Sequence, residues 1–270
     1  MVVCICEVQQ RVILVIKKSH NDGTRGCARS TATFAIAALI PTFGSAQEQP
    51  SGWQFQVTPY LWMAGLGGTI RPYTGASTVD VHAPFSEVLK DLKGAAFLTG
   101  LARRDRLVLL GDFSYSSISK QGEIAPGVEA TGAERQTSIT LEAGYKAVDD
   151  SGLTLDFLGG LRAWRIQASV EAPLLGVQAS KHHSFVDPVI AVRVRKTFAP
   201  KWSLIGYFDI GGFGVGSKST WQIVGTVNYN IANDLYVSGG YRHLALDYRK
   251  NGTDVDVRMS GPMLGLTWTF

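Results

Sequence analysis

The sequence predicts an all-β protein, an antiparallel up-and-down transmembrane β-barrel of about ten strands, and three observations predict it. The last ten residues place Leu264, Leu266, Trp268 and Phe270 on one side of an extended chain, with Gly261, Met263, Gly265, Thr267 and Thr269 on the other. A strand with lipid on one face and a polar lumen on the other requires that alternation. The same two-residue period recurs at regular spacing back to Trp53, and the connections between the periodic segments alternate between short and long.

In chain order, strands are expected at Trp53 to Trp62, Ala95 to Arg103, Arg106 to Ser119, Glu134 to Val148, Leu153 to Ser169, Phe185 to Phe198, Trp202 to Phe213, Thr220 to Asn230, Leu235 to Asp247 and Val257 to Phe270. Short turns fall at 104–105, 149–152, 199–201 and 232–234, and longer loops near 64–94, 120–133, 170–184, 214–219 and 248–256. Bacterial outer-membrane barrels have short periplasmic turns and long outer loops, so both termini belong on the periplasmic side and the strand number is even. Gly68 to Tyr73 and Ser77 to His82 offer a further hairpin inside the first loop, which makes twelve the alternative count.

The alternation also sorts the charges. Asp112, Glu142, Asp156, Asp187 and Asp209 share the inward face with Lys146, Arg162, Arg193, Arg195 and Arg242. Unpaired buried charge costs several kcal/mol, so opposite signs in similar number point to ion pairs filling a narrow lumen rather than to a dedicated ion path. Trp53, Trp62, Trp202, Trp221, Tyr229, Tyr241 and Trp268 lie towards strand ends, where aromatic girdles mark the membrane interfaces.

Within the first loop, Pro84 to Gly94 has helical spacing. Phe85, Val88, Leu89 and Leu92 fall on one face, Ser86 can cap the start and Gly94 the end. So short a helix is unstable alone, which makes it a candidate plug at the barrel mouth or interior rather than an interfacial piece or a cover on the rim.

The amino-terminal region reads differently. The apolar core Thr31 to Ile40 follows Arg25 and Arg29 and precedes small residues at Gly44 and Ala46, the arrangement of a secretory signal peptide cleaved after Ala46. Residues 1–46 are therefore read as a leader, its first part the product of a wrongly chosen start codon, and 47–270 as the barrel. Cys4, Cys6 and Cys27 all precede the cleavage site, so no disulfide framework is expected in the mature chain. The leader also holds five of the 26 Lys and Arg and two of the 22 Asp and Glu, leaving 21 against 20. A charge so near balance gives no case for nucleic-acid binding. The composition, 45% hydrophobic, excludes a disordered chain, and no unbroken apolar run reaches the roughly 18 residues of a spanning helix.

Several segments resemble a family of proteobacterial outer-membrane β-barrel proteins of largely uncharacterised function. They are Thr58-Pro59-Tyr60-Leu61-Trp62, Phe85-Ser86-Glu87-Val88-Leu89, Asp187-Pro188, Ala191-Val192-Arg193, Trp202 to Leu204, Asp209-Ile210-Gly211-Gly212-Phe213-Gly214, Trp221-Gln222, Gly240-Tyr241-Arg242, Asp247-Tyr248 and Gly261-Pro262 to Phe270. The resemblance covers nearly all of 47–270 and departs from the family pattern at Val192, where a Gly precedes the Arg. It implies location in the outer membrane and a barrel fold, but no reaction. Trp268 and the terminal Phe270 further resemble the signal read by the barrel-assembly machinery, which with outer-membrane lipids would be the partners.

Catalytic candidates are few. His182, Ser184 and Asp187 supply a base, a hydroxyl and a carboxylate within six residues, yet a triad is defined by spatial hydrogen bonds, and a solvated loop rim explains the same residues. His243 shares a face with Tyr241 and belongs at the outer interface. The glycines of 211–216 have no helix after them to meet a phosphate, and Asp149-Asp150 and Asp254 with Asp256 read as solvated turn carboxylates. No metal and no cofactor are expected. The expected function is that of a structural or narrow pore-like envelope protein without catalysis; an outer-leaflet hydrolase or a surface-binding, adhesin-like barrel are the alternatives.

Overall fold

The computed structural model describes residues 52–71, 74–75, 77–125 and 127–270; the leader, the signal peptide and its cleavage site lie outside the described residues. Among the described residues twelve strands form: β1 Gln54–Trp62, β2 Gly65–Arg71, β3 Val79–Ala83, β4 Leu92–Arg104, β5 Leu107–Ala125, β6 Val128–Asp150, β7 Leu153–Ala172, β8 Val177–Ala199, β9 Trp202–Gly211, β10 Ser219–Ala232, β11 Leu235–Lys250 and β12 Thr253–Thr269, with one α-helix, α1, over Phe85–Asp91 and a 3-10 turn over Pro173–Leu175. Ten of the strands close in the order β1-β4-β5-β6-β7-β8-β9-β10-β11-β12, and β12 returns to β1. The closing seam includes the chain end, because Phe55 N–H donates to Phe270 O at 2.7 Å and Phe270 N–H to Phe55 O at 3.0 Å. Closure removes the free edges that an open sheet of this size would expose.

The other two strands, β2 and β3, are the hairpin inside the first loop, and β2 continues β1. Trp62 pairs with Met263 and Gly65 with Ser260, so Met63 and Ala64 stand opposite Pro262 and Gly261 without a slip in register. Met63 N–H donates to Pro262 O at 3.0 Å, but Pro262 has no N–H to return, and the ladder breaks there. A Cβ on Gly261 would lie 2.0 Å from Met63 O, so only glycine permits the close approach. β4 pairs with β1 from Gln54↔Arg103 to Pro59↔Leu98; beyond that level, β3 and α1 complete the wall.

Two features differ from the expectation. The regions near 120–133, 170–184 and 248–256 are not long loops but continuations of the strands. Lys120 pairs with Gly132 and Gly122 with Ala130, while β11 and β12 run on to a two-residue turn at Asn251-Gly252, both at positive φ. Beyond lipid both faces of a hairpin are wet, so Ser116 to Glu123 loses its apolar alternation, but its backbone groups still need partners. The helix also starts and stops differently: Pro84 takes the N-cap position with no side-chain cap, and Leu92 ends the helix as β4 begins, so neither Ser86 nor Gly94 acts as a cap.

The result is a tall, uneven wall. β6 and β8 run 23 residues each, about twice the 9–11 that cross a bilayer, whereas β9 runs 10. Leu61, Leu98, Leu109, Leu141, Phe157, Leu161, Ile190, Leu204, Phe208, Ile223 and Leu264 stand exposed on the outward face. A belt of large apolar side chains this continuous is a surface for lipid, not water. Phe55, Trp202, Trp268 and Phe270 border it at the short-turn end, and Phe213, Trp221 and Tyr241 at the other. Trp62 is not part of this girdle: it points inward and is 8% exposed, because it shares the inward phase of Thr58 and Tyr60.

Candidate functional site

The lumen holds nearly all the chemistry of the described residues. Its middle is closed by charge. Arg162, on β7 and only 1% exposed, forms a bidentate pair with Asp209 on β9, at 3.0 Å from Nη1 and 2.5 Å from Nη2. Its Nε donates to Thr140 Oγ1 at 2.9 Å, and Gln222 Nε2 donates to Asp209 at 2.6 Å. Four strands, β6, β7, β9 and β10, are thereby joined by side chains that reach over the intervening wall. Fork-to-fork geometry of this kind is the strong form of a buried ion pair.

Across the lumen a second knot joins β1, β4, β5 and β11. Arg242 on β11 reaches Asp112 on β5 at 3.2 Å. Tyr60 O–H donates to Asp112 at 2.9 Å and accepts from Arg242, while Thr99 Oγ1 donates to Asp112 at 2.8 Å. The guanidinium of Arg242 also stacks over Trp62, 4.7 Å from its ring centroid, a cation–π contact that shields it on the far side. Between the knots, Tyr207 O–H donates to Glu142 at 2.9 Å.

Immediately above, towards the long-strand end, Trp62, Trp164, Leu244 and Tyr60 pack with Phe97 and Phe185. Ion pairs and aromatics together make a two-layer septum. On its short-turn side lies a cavity of about 150 Å³ whose lining includes Thr58, Leu101, Arg195, Ile205, Asn228 and Ser238; on its other side lies one of about 200 Å³. The two cavities share no lining residue.

The remaining inward charges do other work. At the short-turn mouth Asp156, fully buried, takes Arg103 and, at 3.3 Å, Arg193, while Lys146 pairs with Asp149 at 2.6 Å. Arg103, Lys146, Asp149, Arg193 and Arg195 line a polar recess of about 210 Å³. Asp187, also fully buried, forms no ion pair among the described residues; it accepts from Ser217 N–H at 2.6 Å and Ser217 Oγ at 2.8 Å, and so holds down the β9–β10 connection. The inward set in the sequence thus divides into a central septum (Asp112, Glu142, Arg162, Asp209 and Arg242), a mouth cluster (Lys146, Asp156, Arg193 and Arg195) and one loop anchor, Asp187.

Sequence reasoning missed Arg103, Tyr60, Tyr207 and Trp62. Phase alone would have found them: Arg103 alternates with Leu101 and Thr99, and Tyr207 with Asp209 and Ile205. Of the four helix positions singled out, Phe85, Val88 and Leu92 line a small cavity of about 90 Å³ beside Trp62 and Phe97, whereas Leu89 is 53% exposed and faces away. Trp268 and Phe270 are exposed on the outward face of the closing seam. His182 and Ser184 point outward and are exposed, while Asp187 points inward to Ser217, so these three do not meet. His243 lies against Trp221 with ring centroids 4.8 Å apart and shares a 2.5 Å hydrogen bond with Ser260. No group of three or more metal-ligating side chains occurs among the described residues.

No family model matches the sequence, and no curated protein matches it. Among solved structures the chain is similar to the outer membrane protease OmpT from Escherichia coli, with 14% identity, 80% of this chain and 97% of that one covered, and a TM-score of 0.48. It is also similar to the translocator domain of autotransporter NalP from Neisseria meningitidis (12% identity, 81% and 88% covered, TM-score 0.41) and to Ail, the attachment invasion locus protein of Yersinia pestis (12% identity, 82% and 99% covered, TM-score 0.37).

Proposed function

We propose that the chain is an exported bacterial outer-membrane barrel, a structural or narrowly permeable envelope protein without catalysis. Lipid surrounds the outward belt, the short-turn end faces the periplasm, and the barrel-assembly machinery reads Trp268 and Phe270. The observation that carries this reading is the septum. Arg162 with Asp209 and Arg242 with Asp112 span the cross-section, the aromatic layer seals them from above, and a large solute has no straight path past them. The separation of His182 and Ser184 from Asp187 supports the non-catalytic part. Helix α1, through Phe85, Val88 and Leu92, covers a side cavity beside Trp62 and Phe97 of the aromatic layer and is secondary to the septum in closing the lumen.

Membrane fractionation and liposome swelling test this reading together. The expected result is a heat-modifiable protein in the outer-membrane fraction whose proteoliposomes swell no faster in mono- or disaccharide solutions than empty ones. Rapid swelling with disaccharides would replace it with an open porin. Hydrolysis of lipid or peptide by the intact protein, lost in Ser184→Ala and His182→Ala, would replace it with the outer-leaflet hydrolase.

A further inference from the structure

The cavity above the septum differs in kind from everything below it. Its wall comes from Leu66, Ile166, Phe185, Leu246, Val257 and Met259, and Leu246, Tyr248 and Val257 are almost wholly buried around it. Phe185 and Tyr248 lie with centroids 4.7 Å apart and planes tilted by 32°, and give it an aromatic side. Few polar groups line it: Gln136 and the buried Glu134, one carboxyl oxygen of which has no partner among the described residues, on one side, and Lys181 with Thr253 and His183 on the other. Ala168, exposed on β7, marks the opening towards the long-strand end.

Protein interiors hold few voids larger than a water molecule, and unfilled apolar ones are costly. This one measures about 200 Å³, more than the roughly 150 Å³ apolar cavity that stays dry and takes up benzene. The strands that surround it continue well past the lipid belt, so its walls are built by backbone pairing that the membrane does not require. We infer that this chamber is a binding site for an uncharged, largely hydrocarbon molecule of the size of a substituted benzene or naphthalene. The septum forms its floor and the Phe185–Tyr248 pair its aromatic side. The site stands whether or not the septum leaks, because it opens at the opposite end from the short-turn mouth.

The probe is naphthalene, and the readout is methyl NMR of the full-length protein in lipid nanodiscs. Naphthalene also dissolves in lipid, so the experiment compares two sets of methyls: Ile166, Leu246, Val257 and Met259 in the chamber, and Leu204, Ile223 and Leu264 on the lipid belt. Saturable shifts confined to the chamber set, and lost in Val257→Phe, support the site. If Val257→Phe fails to fold, Ala168→Trp at the opening takes its place and is expected to abolish the same shifts. Shifts that grow linearly in both sets, or saturable chamber shifts that persist in a folded filling variant, overturn the proposal.

Discussion

The septum and the chamber above it are built on neighbouring turns of the same strands, yet one is filled and the other is open. On β7, Arg162 lies in the septum and Ile166 in the chamber; on β11, Arg242 and Leu246 stand in the same relation. The difference is one of reach. An Arg and an Asp on strands that are not neighbours span the gap between them and occupy it, whereas Ile, Leu and Val end near their own strand. In a barrel of ten strands, strand number alone does not decide whether the lumen is full; the length and pairing of inward side chains do.

The comparison is broken most severely by removing one member of the central pair. Asp209→Ala leaves Arg162 buried without its carboxylate and is expected to destabilise the barrel by about 3–5 kcal/mol, read as a lower urea midpoint in detergent. The double variant Arg162→Met with Asp209→Leu is expected to recover part of that loss, since it leaves no buried charge unpaired, although the neutral Gln222 amide and Thr140 hydroxyl lose their partners.

Leu246→Ala tests the chamber. It removes a buried side chain but enlarges an existing cavity, so its cost is expected at the low end of such truncations, about 2 kcal/mol, with a saturable naphthalene response still present. Arg242→Ala sharpens the contrast within the septum. Asp112 would keep its bonds from Tyr60 and Thr99, so the expected loss is about 1–3 kcal/mol, smaller than for Asp209→Ala in the same urea series. Ser184→Ala, on the exposed face of β8, is expected to leave the urea midpoint unchanged.

The two regions were unequally legible in the sequence. Alternation gave the ten-strand closure, the lipid belt and the inward phase of Arg162, Asp209, Arg242 and Asp112, because one face touching lipid forces a strict period of two. It could not say which charges pair. Asp187 reads like the other inward carboxylates, but the local path of the β9–β10 connection brings Ser217 to it instead of an arginine. Beyond the belt the signal fades: Lys120 to Glu123 and Val177 to Ser184 are strands held by backbone pairing with no apolar rhythm and read as loops in the sequence, whereas Ile166, Phe185, Leu246 and Val257 of the chamber lie in strands that the alternation already gives. The chamber itself depends on residues from six strands, β2, β6, β7, β8, β11 and β12, a juxtaposition set by closure and register that no single segment encodes.

Single-channel recording in planar bilayers tests the central claim, that the septum closes the lumen, most directly. The account predicts no stable open steps from the intact protein and none after deletion of residues 84–93, because α1 lies above the septum and is not what closes it. A large, stable, weakly selective conductance from the intact protein would contradict the septum. Conductance that appears on deleting 84–93 would move the closure to the helix and contradict it as well.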